Sequence, residues 1–195
     1  MLHLPSEYTL EIPLPPDIDD QSRRWAERTP GATWPRWGGH ITVLNRFVLE
    51  SEFERVIQEV DAVCAAYHPF VINLCRITCE AHLLDANLKV VLLVSGSQDE
   101  GAYLTLLKLH DSVRGELAPL TRNVQPEISK RPYDPHLSLT SGLPQPEAIR
   151  LMEAARASRL RVKFTVEKVS LLEFVQGTGG EKDARQVHSF ALIGS

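Results

Sequence analysis

Two periodicities alternate along this chain. Short runs in which apolar and polar positions swap at every residue, the mark of a half-buried strand, are separated by longer runs with apolar positions three and four apart, the mark of an amphipathic helix. Residues 8–14 (Tyr-Thr-Leu-Glu-Ile-Pro-Leu) form the first strand-like run and stop at the pair Pro15-Pro16. Residues 17–28 predict a short, charged helix ending before Thr29-Pro30-Gly31. A β-branched apolar run follows, entered through Gly38 and Gly39 and carrying His40-Ile41-Thr42-Val43-Leu44. Ser51-Glu52-Phe53-Glu54 has the form of a capping box. Behind it Phe53, Val56, Ile57, Val60, Val63, Cys64 and Tyr67 fall on one helical face, and His68-Pro69 ends the helix.

Two strand-like runs come next, residues 70–79 and 88–94, joined by a turn around Asp85-Ala86-Asn87. A helix is predicted from Gln98 onward, with Tyr103, Leu106, Leu107, Val113 and Leu117 on its buried side and acids in the first turn, where the helix dipole favours them. A loop over residues 118–132 leads to a second polar-faced strand, Tyr133-Asp-Pro-His136-Leu-Ser138-Leu-Thr140. Residues 144–158 predict a further helix with prolines at its start. Strands over residues 161–174 and 186–193 close the chain around the loop Gln176-Gly-Thr-Gly-Gly-Glu, which opens no helix and so reads as a hairpin turn.

The order is β-α-β-α-β-β-α-β-α-β-β. Antiparallel pairs interleaved with helices point to an α+β architecture and away from a doubly wound parallel sheet. No stretch is polar or long enough to be a linker, so residues 1–195 are expected to form a single domain. One internal echo stands out, a strand with His-x-(Thr/Ser) followed by an amphipathic helix. Its two copies lie 96 residues apart in a chain of 195 and suggest two related lobes with a cleft between them.

Composition narrows the picture. With 43% hydrophobic residues the chain can bury a substantial core, and a net charge of −4 provides no broad basic surface for coating DNA or RNA. A nucleic-acid partner would be small, or an end gripped in a local pocket. No apolar run approaches the roughly 18 residues of a membrane span, and the N-terminus lacks the pattern of a signal peptide. Three cysteines without framework spacing suit a reducing compartment. The expectation is a cytoplasmic monomer, with the nucleus also open to it. Cys75, Cys79 and His82 invite a zinc reading, but Cys75 and Cys79 share a strand face suited to packing and a fourth ligand is missing. No metal site or cofactor is expected.

Side chains two apart on a strand share a face. His40 and Thr42 therefore point together, away from Ile41 and Val43, and His136, Ser138 and Thr140 point away from Leu137 and Leu139. The pair His40-Ile41-Thr42 and His136-Leu137-Ser138 resembles the two signature motifs of the 2H phosphoesterase superfamily, in particular its 2′,5′ RNA ligase and RNA cyclic phosphodiesterase branch. The resemblance runs over most of the chain, since helix, Trp34-Pro35, first motif, helix, hairpin, helix, second motif, helix and final hairpin follow the family order. Ser138 stands where threonine is common, and the hydroxyl is preserved. The resemblance implies a bilobal fold, with two pseudo-symmetric lobes of antiparallel sheet, outer helices, and both motifs facing a central cleft. It also implies a 2′,3′-cyclic phosphate or a 2′–5′ phosphodiester as the reacting group, carried by an RNA end, an oligonucleotide or a cyclic nucleotide.

The residues suit that chemistry on their own terms. Phosphodiester cleavage needs one proton removed from the attacking oxygen and one delivered to the leaving oxygen, and two imidazoles can supply a base and an acid at neutral pH. Thr42 and Ser138 can donate hydrogen bonds to non-bridging phosphate oxygens as charge builds there. The expected catalytic set is His40, Thr42, His136 and Ser138, in a hydrolase that needs no metal for these steps. Arg46 and Arg131 are candidate phosphate or backbone contacts, alongside Arg36 and Lys130. Trp37 and Tyr133, like Phe47, are candidates for stacking on a base. The remaining histidines, His3, His68, His82, His110 and His188, have no motif around them and read as surface or helix-end residues. The alternative from another class is a binding module that keeps the groove and grips a nucleotide without turnover.

Overall fold

The computed structural model describes residues 6–81, 87–94, 100–140, 142–176 and 182–194. The described elements, in chain order, are β1 (Glu7–Pro13), α1 (Pro16–Arg28), β2 (His40–Leu49), α2 (Phe53–Ala65), β3 (Phe70–Ala81), β4 (Leu88–Val94), α3 (Glu100–Leu117), β5 (Thr121–Asn123), α4 (Pro126–Ser129), β6 (His136–Ser138), α5 (Gln145–Ala157), β7 (Val162–Val166), β8 (Lys168–Gln176) and β9 (Lys182–Ala191). The α+β architecture stands. The strands form one continuous sheet in the order β7-β3-β4-β6-β2-β1-β8-β9, with β5 added to β2.

That order forces the sheet to curl. β7 lies at one edge and β8 next to the other, with five strands between them, yet only Glu167 separates them in sequence. Six strand spacings in a flat sheet would span about 29 Å, whereas two chain steps reach about 7 Å. The sheet therefore bends into a half-barrel whose ends approach each other. The continuous run expected over residues 161–174 is thus two strands that serve opposite ends of the sheet. Their alternation records the break. Val162, Phe164 and Val166 are buried, then the phase slips by one residue and Val169 and Leu171 are buried.

One face of the sheet is apolar and carries the helices. Ile12, Ile41, Leu137, Leu92 and Ile77 belong to a single buried cluster, together with Val56 and Val60 of α2, Leu106, Leu109 and Val113 of α3, and Leu151 of α5. Helix α2 begins at Phe53 without the expected capping box. Glu52 is the N-cap and makes no side-chain cap, and the Ser51 hydroxyl instead donates to the Leu120 carbonyl at 3.3 Å. The segment read as a loop before the second motif contains β5 and α4. Cys79 packs on α5, its Sγ 3.7 Å from the Ala148 carbonyl oxygen and 3.7 Å from the Met152 sulfur. His3, His82, the turn over residues 85–86, the start of the third helix at Gln98 and the loop 177–181 lie outside the described residues. Among the described residues, no helix is long and apolar enough to cross a membrane.

Strand β2 is not regular. Its pairing with β1 runs Glu11↔Thr42, then Leu10↔Leu44, then Tyr8↔Phe47, so two extra residues enter β2 between Thr42 and Phe47. Such bulges bend a strand and re-aim its side chains. Here they turn Asn45 and Arg46 toward the groove that Thr42 also lines.

Candidate active site

The two motifs occupy neighbouring strands. β2 and β6 pair antiparallel at Ile41↔Leu137, which sets His40 opposite Ser138 and Thr42 opposite His136. The histidines are thus diagonal neighbours, a relation that places positions roughly 7–8 Å apart. That gap suits one phosphate, with a hydrogen bond of about 2.8 Å on either side. All four residues line one groove of about 710 Å³.

Each imidazole is held by the same device. His40 Nδ1 lies 3.0 Å from the Gly38 carbonyl oxygen, and His136 Nδ1 lies 2.8 Å from the Asp134 carbonyl oxygen, two residues upstream in both cases. A carbonyl can only accept, so both Nδ1 atoms carry the proton. Nε2 is then the atom of each ring left to the groove, able to accept a proton or, once charged, to donate one.

The turn before His40 is built for this. Gly38 adopts φ +101°, open to glycine and strained for other residues. A Cβ on Gly39 would fall 2.3 Å from the Trp34 ring. Asp19 on α1 binds the turn from outside, accepting from the Gly39 amide at 2.6 Å and from Trp34 Nε1 at 2.9 Å. The second motif is tied to the first through Tyr133, whose hydroxyl donates to the Thr42 carbonyl at 2.9 Å.

Of the proposed substrate contacts, Arg46, Arg131 and Tyr133 line the groove. Arg46 is braced at the wall, its guanidinium 4.3 Å above the Phe174 ring centroid and 3.5 Å from Glu7. Arg131 is exposed at the rim. Tyr133 already has one face stacked on His110, with centroids 4.1 Å apart and planes 7° from parallel. Burial raises its phenol pKa, so the hydroxyl stays a donor. Trp37 is not among the groove residues. It stacks on His40 at 5.8 Å and donates to Glu11 Oε2 at 3.3 Å, so it braces the histidine. Phe47 is buried in the core, Lys130 is exposed and paired with Glu127 at 2.7 Å, and Arg36 lies in a separate depression beside Asp19.

Three residues were not singled out from the sequence. His110, read as a surface residue, is half-buried in the groove wall with Nδ1 2.6 Å from the Val43 carbonyl oxygen, and burial lowers its pKa. Its position among Leu106, Leu109 and Val113 on α3 was the available signal. Lys89 reaches the groove from β4, opposite Glu80 of β3, and burial lowers its pKa. Glu11 is 3% exposed on β1, its Oε2 3.4 Å from His40 Nδ1, and burial raises its pKa against the lowering pull of His40 and Trp37. A carboxylate between Leu10 and Ile12, in a stretch otherwise apolar from Leu10 to Leu14, was its signal.

The groove is electropositive although the chain is acidic. Arg46, Lys89, Arg114 and Arg131 line it, against the carboxylates Glu80 and Asp134. Among the described residues, no three His, Cys, Asp or Glu side chains gather as metal ligands.

A curled antiparallel sheet with paired His-x-(Thr/Ser) strands at a basic groove defines a 2H phosphoesterase-like protein. The chain matches the 2′-5′ RNA ligase superfamily over residues 14–178 and belongs to that family. Membership places it among proteins that process phosphodiesters. No curated protein matches it significantly by sequence. Among solved structures, Escherichia coli LigT complexed with NADP+ is similar with a TM-score of 0.59 and 16% identity, over 97% of this chain and 99% of its own. A protein from Thermus thermophilus gives 0.62 at 15% identity, over 96% of this chain and 98% of its own. A structure described as a phosphoesterase gives 0.61 at 16% identity, over 97% and 99%. At such identities the likeness is one of fold.

Proposed function

We propose that this chain is a cyclic phosphodiesterase that hydrolyses a 2′,3′-cyclic phosphate, or a 2′–5′ linkage, on an RNA end or nucleotide by two-histidine acid/base catalysis. The observation that carries the reading is the diagonal histidine pair, each ring fixed through Nδ1 and both lining a basic groove, an arrangement that leaves Nε2 for the substrate. Solved structures of LigT complexed with 3′-AMP and with phosphate add support, since 3′-AMP is a ribose phosphomonoester of the kind such hydrolysis yields and phosphate is the group that reacts.

In the proposed cycle the phosphate sits between the rings, with the Thr42 and Ser138 hydroxyls donating to its non-bridging oxygens. His136 Nε2 takes a proton from a water as that water attacks phosphorus. The bond from phosphorus to one ribose oxygen breaks, and His40, protonated at Nε2, delivers a proton to that oxygen. A phosphomonoester leaves, and the rings exchange their proton with solvent before the next turn. Arg46, Lys89 and Arg131 draw the anionic substrate into the groove. Side chains supply both proton transfers and the stabilising donors.

The test is turnover of 2′,3′-cyclic AMP, and of a 2′–5′ linked dinucleotide, in excess EDTA. Release of a single phosphomonoester isomer is expected. Binding without turnover would leave a nucleotide-binding module, and turnover that vanishes in EDTA and returns with Mg²⁺ would point to a metal mechanism.

A further inference from the structure

The two motifs share their geometry but not their surroundings. Behind His40 lies the Glu11 carboxylate, at 3.4 Å from Nδ1, with its side chain 4% exposed. Behind His136, among the described residues, Nδ1 meets only the Asp134 carbonyl. Glu11 stands opposite Thr42 in the β1–β2 pairing and reaches diagonally to His40.

We infer that Glu11 is a positioning residue that makes His40 the proton-donating member of the pair and leaves His136 to accept. The inference rests on the two-histidine reading and gives the rings distinct roles. Because Nδ1 of His40 already carries its proton toward Gly38 and Glu11, the carboxylate takes no proton from the ring. It favours the imidazolium by charge and holds the ring plane, and a bare carbonyl does less of the first. Trp37 braces the arrangement, stacking on His40 while donating to the same Glu11 oxygen.

The groups around the pair agree with this assignment. Glu11 is faced by His40 and Arg46 from β2, by the neutral Trp37 from the preceding loop and by Thr9 on its own strand. Ser170 of β8, also neutral, is its other cross-strand neighbour. Glu11 and Trp37 face His40 directly, and His136, Asp134 and Arg46 share its groove. Glu11 is therefore the one buried carboxylate against either catalytic ring among the described residues.

The test is Glu11→Gln, which keeps size and an acceptor for Trp37 but removes the charge. On a 2′,3′-cyclic nucleotide it should lower kcat roughly 10- to 100-fold, part of the 10²–10⁴ that a positioned acid contributes, with KM little changed. The alkaline limb of the pH–rate profile, which needs a protonated imidazole, should move to lower pH, and Glu11→Asp should restore part of the loss. Nitrogen-15 NMR of the histidine rings reads the same effect without turnover. The pH at which His40 protonates should fall in Glu11→Gln while that of His136 stays put. An unchanged His40 titration, or a movement of both rings alike, overturns the inference. A His40-specific movement in a protein that turns over no cyclic phosphate would support the role of Glu11 on this ring and defeat the phosphodiesterase reading alone.

Discussion

The Tyr133 hydroxyl donates to the Thr42 carbonyl at 2.9 Å, so the approach to the second motif is bonded directly to the strand that carries the first. The contact spans 91 residues of sequence and fixes the two half-sites relative to each other. Tyr133→Phe should preserve the stack on His110 and leave the Thr42 carbonyl short of a partner. A loss of about 1–3 kcal/mol in stability is expected by urea denaturation. Turnover should fall as well, because the His136 approach loses its tether. Wild-type stability in this variant would show that the contact does not hold the site together.

The glycine pair before His40 makes a second prediction. In Gly39→Ala the new Cβ would press on Trp34 at 2.3 Å and on Leu14 at 2.8 Å. The turn must then shift, at about 1–3 kcal/mol for overpacking. The same shift moves the Gly38 carbonyl away from His40 Nδ1. Thermal unfolding and kcat should both decline, with the NMR signal of the His40 Nδ1 proton broadened or lost.

Glu11 links activity to stability with a definite sign. Its pKa is raised in the folded protein, chiefly by burial. A carboxyl raised in this way contributes stability below its unfolded pKa, and that contribution is lost as pH rises through the folded value. The ionised form that the mechanism uses is therefore the less stable one. Glu11→Gln should melt higher than wild type near pH 7.5, and the difference should shrink as pH falls toward 4.5. A constant difference across that range would mean that Glu11 does not titrate in the fold.

Much of the site could be read from side-chain alternation, because a strand places residues two apart on one face whatever its partners. That rule put His40 with Thr42 and His136 with Ser138. It could not say that β2 and β6 would be neighbours, since pairing is a long-range choice. Nor could it show the two bulges that turn Arg46 into the groove, because they appear only in the register against β1. The place of Trp37 was hidden for a related reason. Its indole N–H is satisfied by Glu11, a residue 26 positions earlier, so it faces the back of His40. The split at Glu167 and the inward face of His110 were legible, one as a slip in the period-two pattern and the other as a member of a buried helical stripe.

The hydroxyls should matter less than the rings. Thr42→Ala and Ser138→Ala each remove one donor from the phosphate and leave both proton transfers possible. Each should cost about 1–3 kcal/mol in transition-state stabilisation, read as kcat/KM with substrate in EDTA. A loss as large as that of a histidine variant would mean that the hydroxyl takes part in proton transfer.

The most direct measurement of the central claim is kcat on a 2′,3′-cyclic nucleotide for His40→Ala, His136→Ala and the double variant, beside their melting temperatures. Both rings line the groove and not the core, so the melting temperatures should change little. Each single variant should lose on the order of 10²–10⁴ in kcat, and the double variant should be no worse than the poorer single, because the pair works as one unit. Near wild-type turnover in either folded single variant would remove that histidine from the chemistry and contradict the account.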